Sequence, residues 1–191
     1  MIMALTSKAT WYVARSGGMV AWVLCSASIV WGLLLSTRLI RRRGAPAWLL
    51  DMHRFLGTLT IIFTVVHMTG LFLDTFQPFR LADLLVPMHS KWKAGAVAWG
   101  IIGFYLLLAI QITSWLMRRM PRRVWHAIHL SSFGLFVSAT VHSLYAGTDR
   151  HNLLVQWGGA TCATVVLFMT IFRLLSPRSA RASRRSVASA G

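Results

Sequence analysis

Five stretches of this 191-residue chain, 16–37, 55–73, 94–117, 124–148 and 152–172, each run nineteen residues or more without a charged side chain. About 20 apolar residues of helix cross the hydrocarbon core of a bilayer. Lipid offers the main chain no hydrogen-bonding partner, so a run of that length must bond internally as a helix. The sequence therefore predicts an all-α, polytopic membrane helix bundle of about five transmembrane helices. Short connections and the lack of a Gly/Ser linker make residues 1–175 one compact unit. Residues 176–191, rich in Ser, Arg and Ala with no apolar pattern, are expected to form a basic, disordered cytoplasmic tail.

Charge sets the orientation. Arg38, Arg41, Arg42, Arg43 and Arg54 surround the first connection, Arg118, Arg119, Arg122 and Arg123 fill the third, and Arg173, Arg178, Arg181, Arg184 and Arg185 sit near the C-terminus. Together they place fourteen of the twenty basic residues on one side of the membrane. The opposite side carries Lys8, Arg15, Arg80, Lys91, Lys93 and Arg150, diluted by Asp74, Asp83 and Asp149. The positive-inside rule makes the richer side cytoplasmic, with the N-terminus outside and the C-terminus inside. The expected location is a bacterial cytoplasmic membrane. The formal charge of +16 is then explained by topology and by anionic lipid headgroups, and calls for no nucleic acid partner.

Lys8 and Arg15 precede the first apolar run as in a secretory signal, but the run is long and a stronger basic cluster follows. It reads as a retained helix. Trp11, Tyr12 and Trp22 suit an aromatic belt at its outer end. Cys25 and Cys162 fall in separate runs and read as packing residues rather than a disulfide. Between the second and third runs, residues 75–93 hold an apolar cluster of Leu81, Leu84, Leu85 and Val86 bracketed by Pro78 and Pro87, which predicts an interfacial helix. Pro121 marks a tight Arg-rich turn before the fourth run.

The chemistry lies in the histidines. His53 stands two residues ahead of the second run and His67 within it, His129 and His142 lie in the fourth, and each pair is separated by about 20 Å of helix rise. An imidazole within a membrane is costly unless it ligates a metal or hydrogen-bonds, so such residues mark functional sites. Because both runs cross in the same direction, His53 with His129 forms an inner pair and His67 with His142 an outer pair. Each pair is suited to clamping one haem iron; two haems are expected, and one is possible. Fourteen positions leave His53 and His67 roughly 40° apart on an ideal helix, whereas thirteen leave His129 and His142 roughly 140° apart. The fourth helix must be locally over- or underwound, or its two side chains reach haems on different sides. His126, almost a turn earlier, rivals His129 or bonds a haem propionate, and Arg54 pairs with propionates or anchors at the interface. Gly57, Gly70 and Gly134 leave room for a macrocycle near the backbone. No residue stands out as catalytic.

The segments DMHRFLGTLTIIFTVVHMTG and RRVWHAIHLSSFGLFVSATVHSLYAGTD resemble the ferric-reductase-like transmembrane domain. NADPH oxidases, ferric reductases and the haem-bearing membrane subunit of bacterial methionine sulfoxide reductase systems share that domain. The resemblance extends from residue 11 to about 175. It implies b-type haem held by paired histidines, at positions matching His53, His67, His129 and His142. Two departures stand out. Five spans are seen rather than six, with one lacking ahead of the first. Only sixteen residues follow Leu175, without a Gly-rich strand-to-helix turn, so no flavin or nicotinamide domain is expected in them.

The function expected is that of a cytochrome b passing electrons across the membrane, as the electron-transfer component of an oxidoreductase. Its donor would be quinol or a separate cytoplasmic flavoprotein, its acceptor external and approaching near His89, Lys91, Lys93 and His151. Two other classes compete. A non-redox membrane scaffold or accessory subunit would use its histidines only to bond neighbouring helices. A small transporter would use them as a proton relay, although runs one, three and five offer few polar partners and no inverted repeat is visible.

Overall fold

A computed structural model of the chain describes residues 2–36, 47–148 and 152–175. Arg38 and Arg41–Arg43, Asp149 to His151, and the basic C-terminal segment lie outside the described residues, as do the expectations attached to them. Seven α-helices follow in order: α1 Ile2–Ser36, α2 Ala47–Leu73, α3 Leu81–Leu85, α4 Ala94–Trp115, α5 Arg122–Leu130, α6 Ser132–Ala146 and α7 Leu153–Leu175. One turn of 3-10 helix, Met117–Arg119, leads from α4 towards Pro121. There are five membrane-length crossings, because α5 and α6 together make the fourth. No strand occurs among the described residues.

α1 lies along α2, α4 lies along α6, and α1 also touches α6 and α7. The shared core is formed by Cys25, Ile29 and Leu33 of α1, Leu107 and Ile110 of α4, Leu135 and Phe136 of α6, and Val166 of α7. Cys25 and Cys162 are free thiols, as expected. Outward-facing side chains such as Trp157, Leu167, Phe168 and Leu174 are apolar and largely exposed, the surface a lipid-facing bundle requires.

The hydroxyls within the spans are satisfied locally. Ser26 bonds the carbonyl of Trp22, Thr60 that of Leu56, Thr64 that of Thr60, and Thr170 that of Val166. Two polar side chains instead tie helices together. Ser138, fully buried on α6, donates to the Trp99 carbonyl of α4 at 2.6 Å. Trp22 donates its indole N–H to Thr140 Oγ1 at 2.9 Å and stacks on Phe136. Trp22 is therefore an interior strut joining α1 to α6, not a member of the aromatic belt. Tyr12 does face outward, and Trp11 packs edge-on against Phe76.

The segment after α2 folds back over the bundle. Buried Asp74 accepts from Thr10 Oγ1 and from the Gln77 N–H, both at 2.9 Å, which fixes the outer end of α1. Phe79 and Leu84 bury themselves against Val97 and Ile101, with Trp92 edge-on to Phe79. The expected interfacial helix is the five-residue α3, with Leu84 turned inward and Leu81, Leu85 and Val86 outward. Asp83 closes its start by accepting the Arg80 N–H at 2.9 Å and the His89 Nδ1–H at 2.8 Å. Those bonds, the Arg80 N–H foremost, hold the Asp83 carboxyl below its usual range. A carboxyl depressed in the folded state stabilises the loop above the ordinary carboxylate range and loses that contribution as pH falls through the depressed value. Amide protection of residues 80–89, taken relative to the intrinsic exchange rate at each pH, is accordingly expected to fall below about pH 4. Asp83→Asn should already exchange quickly at neutral pH and lose the acid dependence; unchanged protection in that variant would refute the capping role.

Candidate functional site

α2 and the α5–α6 crossing make little close backbone approach, and they meet through imidazole rings instead. The centroids of His53 and His129 are 5.9 Å apart, and those of His67 and His142 are 6.2 Å apart. The rings of each pair are steeply inclined, at 69° and 78°. One metal ion bonded to both rings of a pair, at about 2 Å per nitrogen, would put the centroids roughly 6 Å apart.

The thirteen-residue spacing on the fourth span is reconciled by a break in the helix. α5 ends at Leu130 and α6 begins at Ser132. Between them the Ser131 N–H bonds the Ile128 carbonyl at 3.0 Å, a three-residue closure, and the Ser131 hydroxyl bonds the same carbonyl at 2.6 Å. A 3-10 turn rotates further per residue than an α-turn. This tightening turns His129 and His142 towards each other by about 20° per residue, which takes up part of the roughly 140°, and both rings face their partners on α2. On α2, continuous over both positions, His53 and His67 share a face without any such device.

Three of the four rings are hung from a main-chain carbonyl on a neighbouring helix. His67 Nδ1 lies 2.6 Å from the Ala14 oxygen, His142 Nδ1 2.8 Å from the Ala96 oxygen, and His53 Nδ1 3.0 Å from the Ser28 oxygen. A carbonyl oxygen only accepts, so each Nδ1 carries the proton and, in the neutral ring, the lone pair resides on Nε2. Donation from one ring nitrogen to a carbonyl is how metal-binding histidines are oriented for ligation through the other.

Each carbonyl acceptor is followed four residues later by glycine. A Cβ added at Gly18 would lie 2.8 Å from His67 Nδ1, one at Gly100 2.7 Å from His142 Nδ1, and one at Gly32 3.2 Å from His53 Cε1. These glycines are the recesses in which the rings lie. They were not picked out from the sequence, although Gly18 and Gly32 repeat the fourteen-residue interval of His53 and His67. The glycines singled out there sit elsewhere. Gly70 presses against the Ala14 backbone, Gly57 faces Gln111, and Gly134 faces Leu106.

His129 differs. It stacks on Trp125, with centroids 5.0 Å apart and planes at 24°, and its Nδ1 is buried without a hydrogen-bond partner. The indole nitrogens of Trp125 and Trp31 are likewise buried and unpartnered, and both belong to the inner layer. His126 is exposed and is not brought against His53, which faces His129. The Arg54 side chain is 62% exposed, with its guanidinium 3.6 Å from Asp51, a loose surface pair worth little. His89 pairs with Asp83, while Lys93 donates to the Tyr145 carbonyl at 2.9 Å and lies over the Trp92 ring.

The outer pair opens onto a cavity of about 220 Å³, which widens to about 1460 Å³ when the open space at its mouth is counted. Its wall includes His67, His142, Gly18 and Gly100, together with Met68, Phe104 and Leu135, and Arg15 stands among them. The lining is mostly apolar, suited to a large flat apolar ligand rather than a hydrated ion. No group of three or more His, Cys, Asp or Glu side chains able to hold a bare metal ion occurs among the described residues.

A membrane bundle of paired histidines is the class this arrangement defines. The sequence matches the family model described as the ferric reductase like transmembrane component over residues 17–140, and the chain belongs to that family. It is also 26% identical over 127 residues to an uncharacterised protein of Archaeoglobus fulgidus, a match covering 62% of this chain and 66% of that protein, just under two thirds of the relative's length. No solved structure matches it significantly.

Proposed function

We propose that the chain is a b-type haem-binding membrane protein that carries electrons across the bilayer, from quinol or a separate cytoplasmic flavoprotein to an external acceptor. Family membership supports a membrane electron-transfer component. The observation that carries the haem reading is the ring arrangement: two histidine pairs at 5.9 and 6.2 Å, with three of four Nδ1 protons committed to main-chain carbonyls. Two imidazoles are too few to hold a bare iron. They suit an iron whose other four ligands come with a macrocycle, and the mostly apolar lining of the cavity at the outer pair supports that reading.

In this reading His53 and His129 hold the inner haem, and His67 and His142 the outer one. The bound haem supplies the one-electron chemistry through its iron. The protein holds three of the four rings from α1 or α4 and the fourth against Trp125, and would offer two imidazoles to each iron, which disfavours direct oxygen binding. The layers are separated by about 20 Å of helix, so together they cover most of the hydrocarbon thickness. Arg118, Arg119, Arg122 and Arg123 are exposed on the arginine-rich side and would attract an acidic donor.

A reduced-minus-oxidised visible spectrum of the purified protein tests the proposal. It should show b-type absorbance equivalent to two haems per chain. His129→Ala should lose half of it, whereas His126→Ala should keep it all. A colourless protein that folds and inserts normally would instead favour a scaffold or a proton relay.

A further inference from the structure

The acceptor-and-glycine pattern has four positions, and one is filled differently. On α1 it occurs at Ala14/Gly18 and, fourteen residues on, at Ser28/Gly32, serving His67 and His53. On α4 it occurs at Ala96/Gly100, serving His142. Fourteen residues further along α4, on the same stripe and level with the antiparallel α5, stand Ile110 and Ser114. The Ile110 carbonyl already accepts the Ser114 hydroxyl at 2.7 Å and the Thr113 hydroxyl at 3.2 Å. His129, whose partner this carbonyl would be by register, is the one histidine of the four whose Nδ1 has none.

We propose that Ser114 is a positioning residue that makes the two histidine pairs unequal. Its Cβ and hydroxyl occupy the recess that glycine leaves open at the other three positions, and its hydroxyl takes the carbonyl that His129 would use. His129 is oriented by stacking on Trp125 instead. Resting on the haem reading, the consequence is electronic. An imidazole whose Nδ1–H donates to a carbonyl is a more basic ligand, and a more basic ligand stabilises ferric iron. His129 lacks that push, so the inner iron is held at a higher potential than a fully bonded pair would give it.

Spectroelectrochemical titration of the purified full chain decides the matter. Wild type should show two b-type components. Ser114→Gly opens the recess and leaves the carbonyl only the longer 3.2 Å contact from Thr113, and should move one component to lower potential. Ser114→Ala keeps the Cβ in place and should leave that component where it was. Gly100→Ala, which puts a Cβ against His142 Nδ1, should raise or empty the other component. Two components with Ser114→Gly unmoved, moved upward, or matched by Ser114→Ala would overturn the positioning role while leaving the haem reading intact. A wild-type protein without b-type absorbance would overturn both.

Discussion

Replacing either His67 or His142 by Ala is expected to remove half of the haem absorbance, and the double replacement should remove no more than that. The two rings face each other with centroids 6.2 Å apart, and losing either would leave a single imidazole to hold the haem proposed there. Helix insertion should be unaffected, because losing one imidazole makes a span more apolar rather than less. The inner pair belongs to a separate layer, and its spectrum should persist. Haem content per chain, measured with and without each replacement, is the test. If each single replacement kept the full complement of haem, the outer pairing would be wrong.

The second large effect is expected at a residue that touches no cofactor. A Cβ at Gly70 would stand 2.8 to 2.9 Å from the backbone and Cβ of Ala14, where something must shift. Overpacking of this sort costs roughly 1–3 kcal/mol. Ala14 also provides the carbonyl to which His67 donates, so pushing α1 away from α2 removes the acceptor from the ring. Gly70→Val should therefore both weaken the bundle and reduce the outer haem, with Gly70→Ala intermediate. Detergent-unfolding midpoints and haem content should fall together. A Gly70→Val protein with wild-type stability and spectrum would show that α1 and α2 are not held at this contact.

The spans were legible because absence of charge over nineteen residues is a demand of the solvent, independent of tertiary detail. The pairing of histidines by depth followed from two runs crossing in one direction. The winding of the fourth span was only half legible. A spacing of thirteen announced an irregularity, yet nothing in the sequence distinguished Ser131 from Ser132 as its place. Residues such as Trp22 were misplaced because an indole reads the same whether its N–H meets water at an interface or Thr140 inside the bundle. The first helix extends back to Ile2, beyond the apolar run, because a helix outside the hydrocarbon tolerates Lys8 and Arg15. The recess glycines went unread for another reason. They lie on α1 and α4, which carry none of the paired histidines, and nothing in those helices alone marks a glycine as the recess for a neighbour's ring.

That last feature implies an uneven mutational spectrum along α1 and α4. The acceptor at Ala96 is a main-chain oxygen, which every amino acid supplies alike, so its side chain is free to drift so long as it suits the neighbouring helices, whereas Ser28 also sets its hydroxyl 3.4 Å from His53 Nδ1. Four residues on, the requirement is for a missing side chain, strict at Gly100, where a Cβ would lie 2.7 Å from His142 Nδ1, and softer at Gly32, where it would lie 3.2 Å from His53 Cε1. Ala14 is confined for the separate reason that Gly70 lies against it. Two helices without ligands of their own would thus record the histidine sites as a spacing of intolerant glycines, most plainly on α4, where Gly100 is preceded by the permissive Ala96.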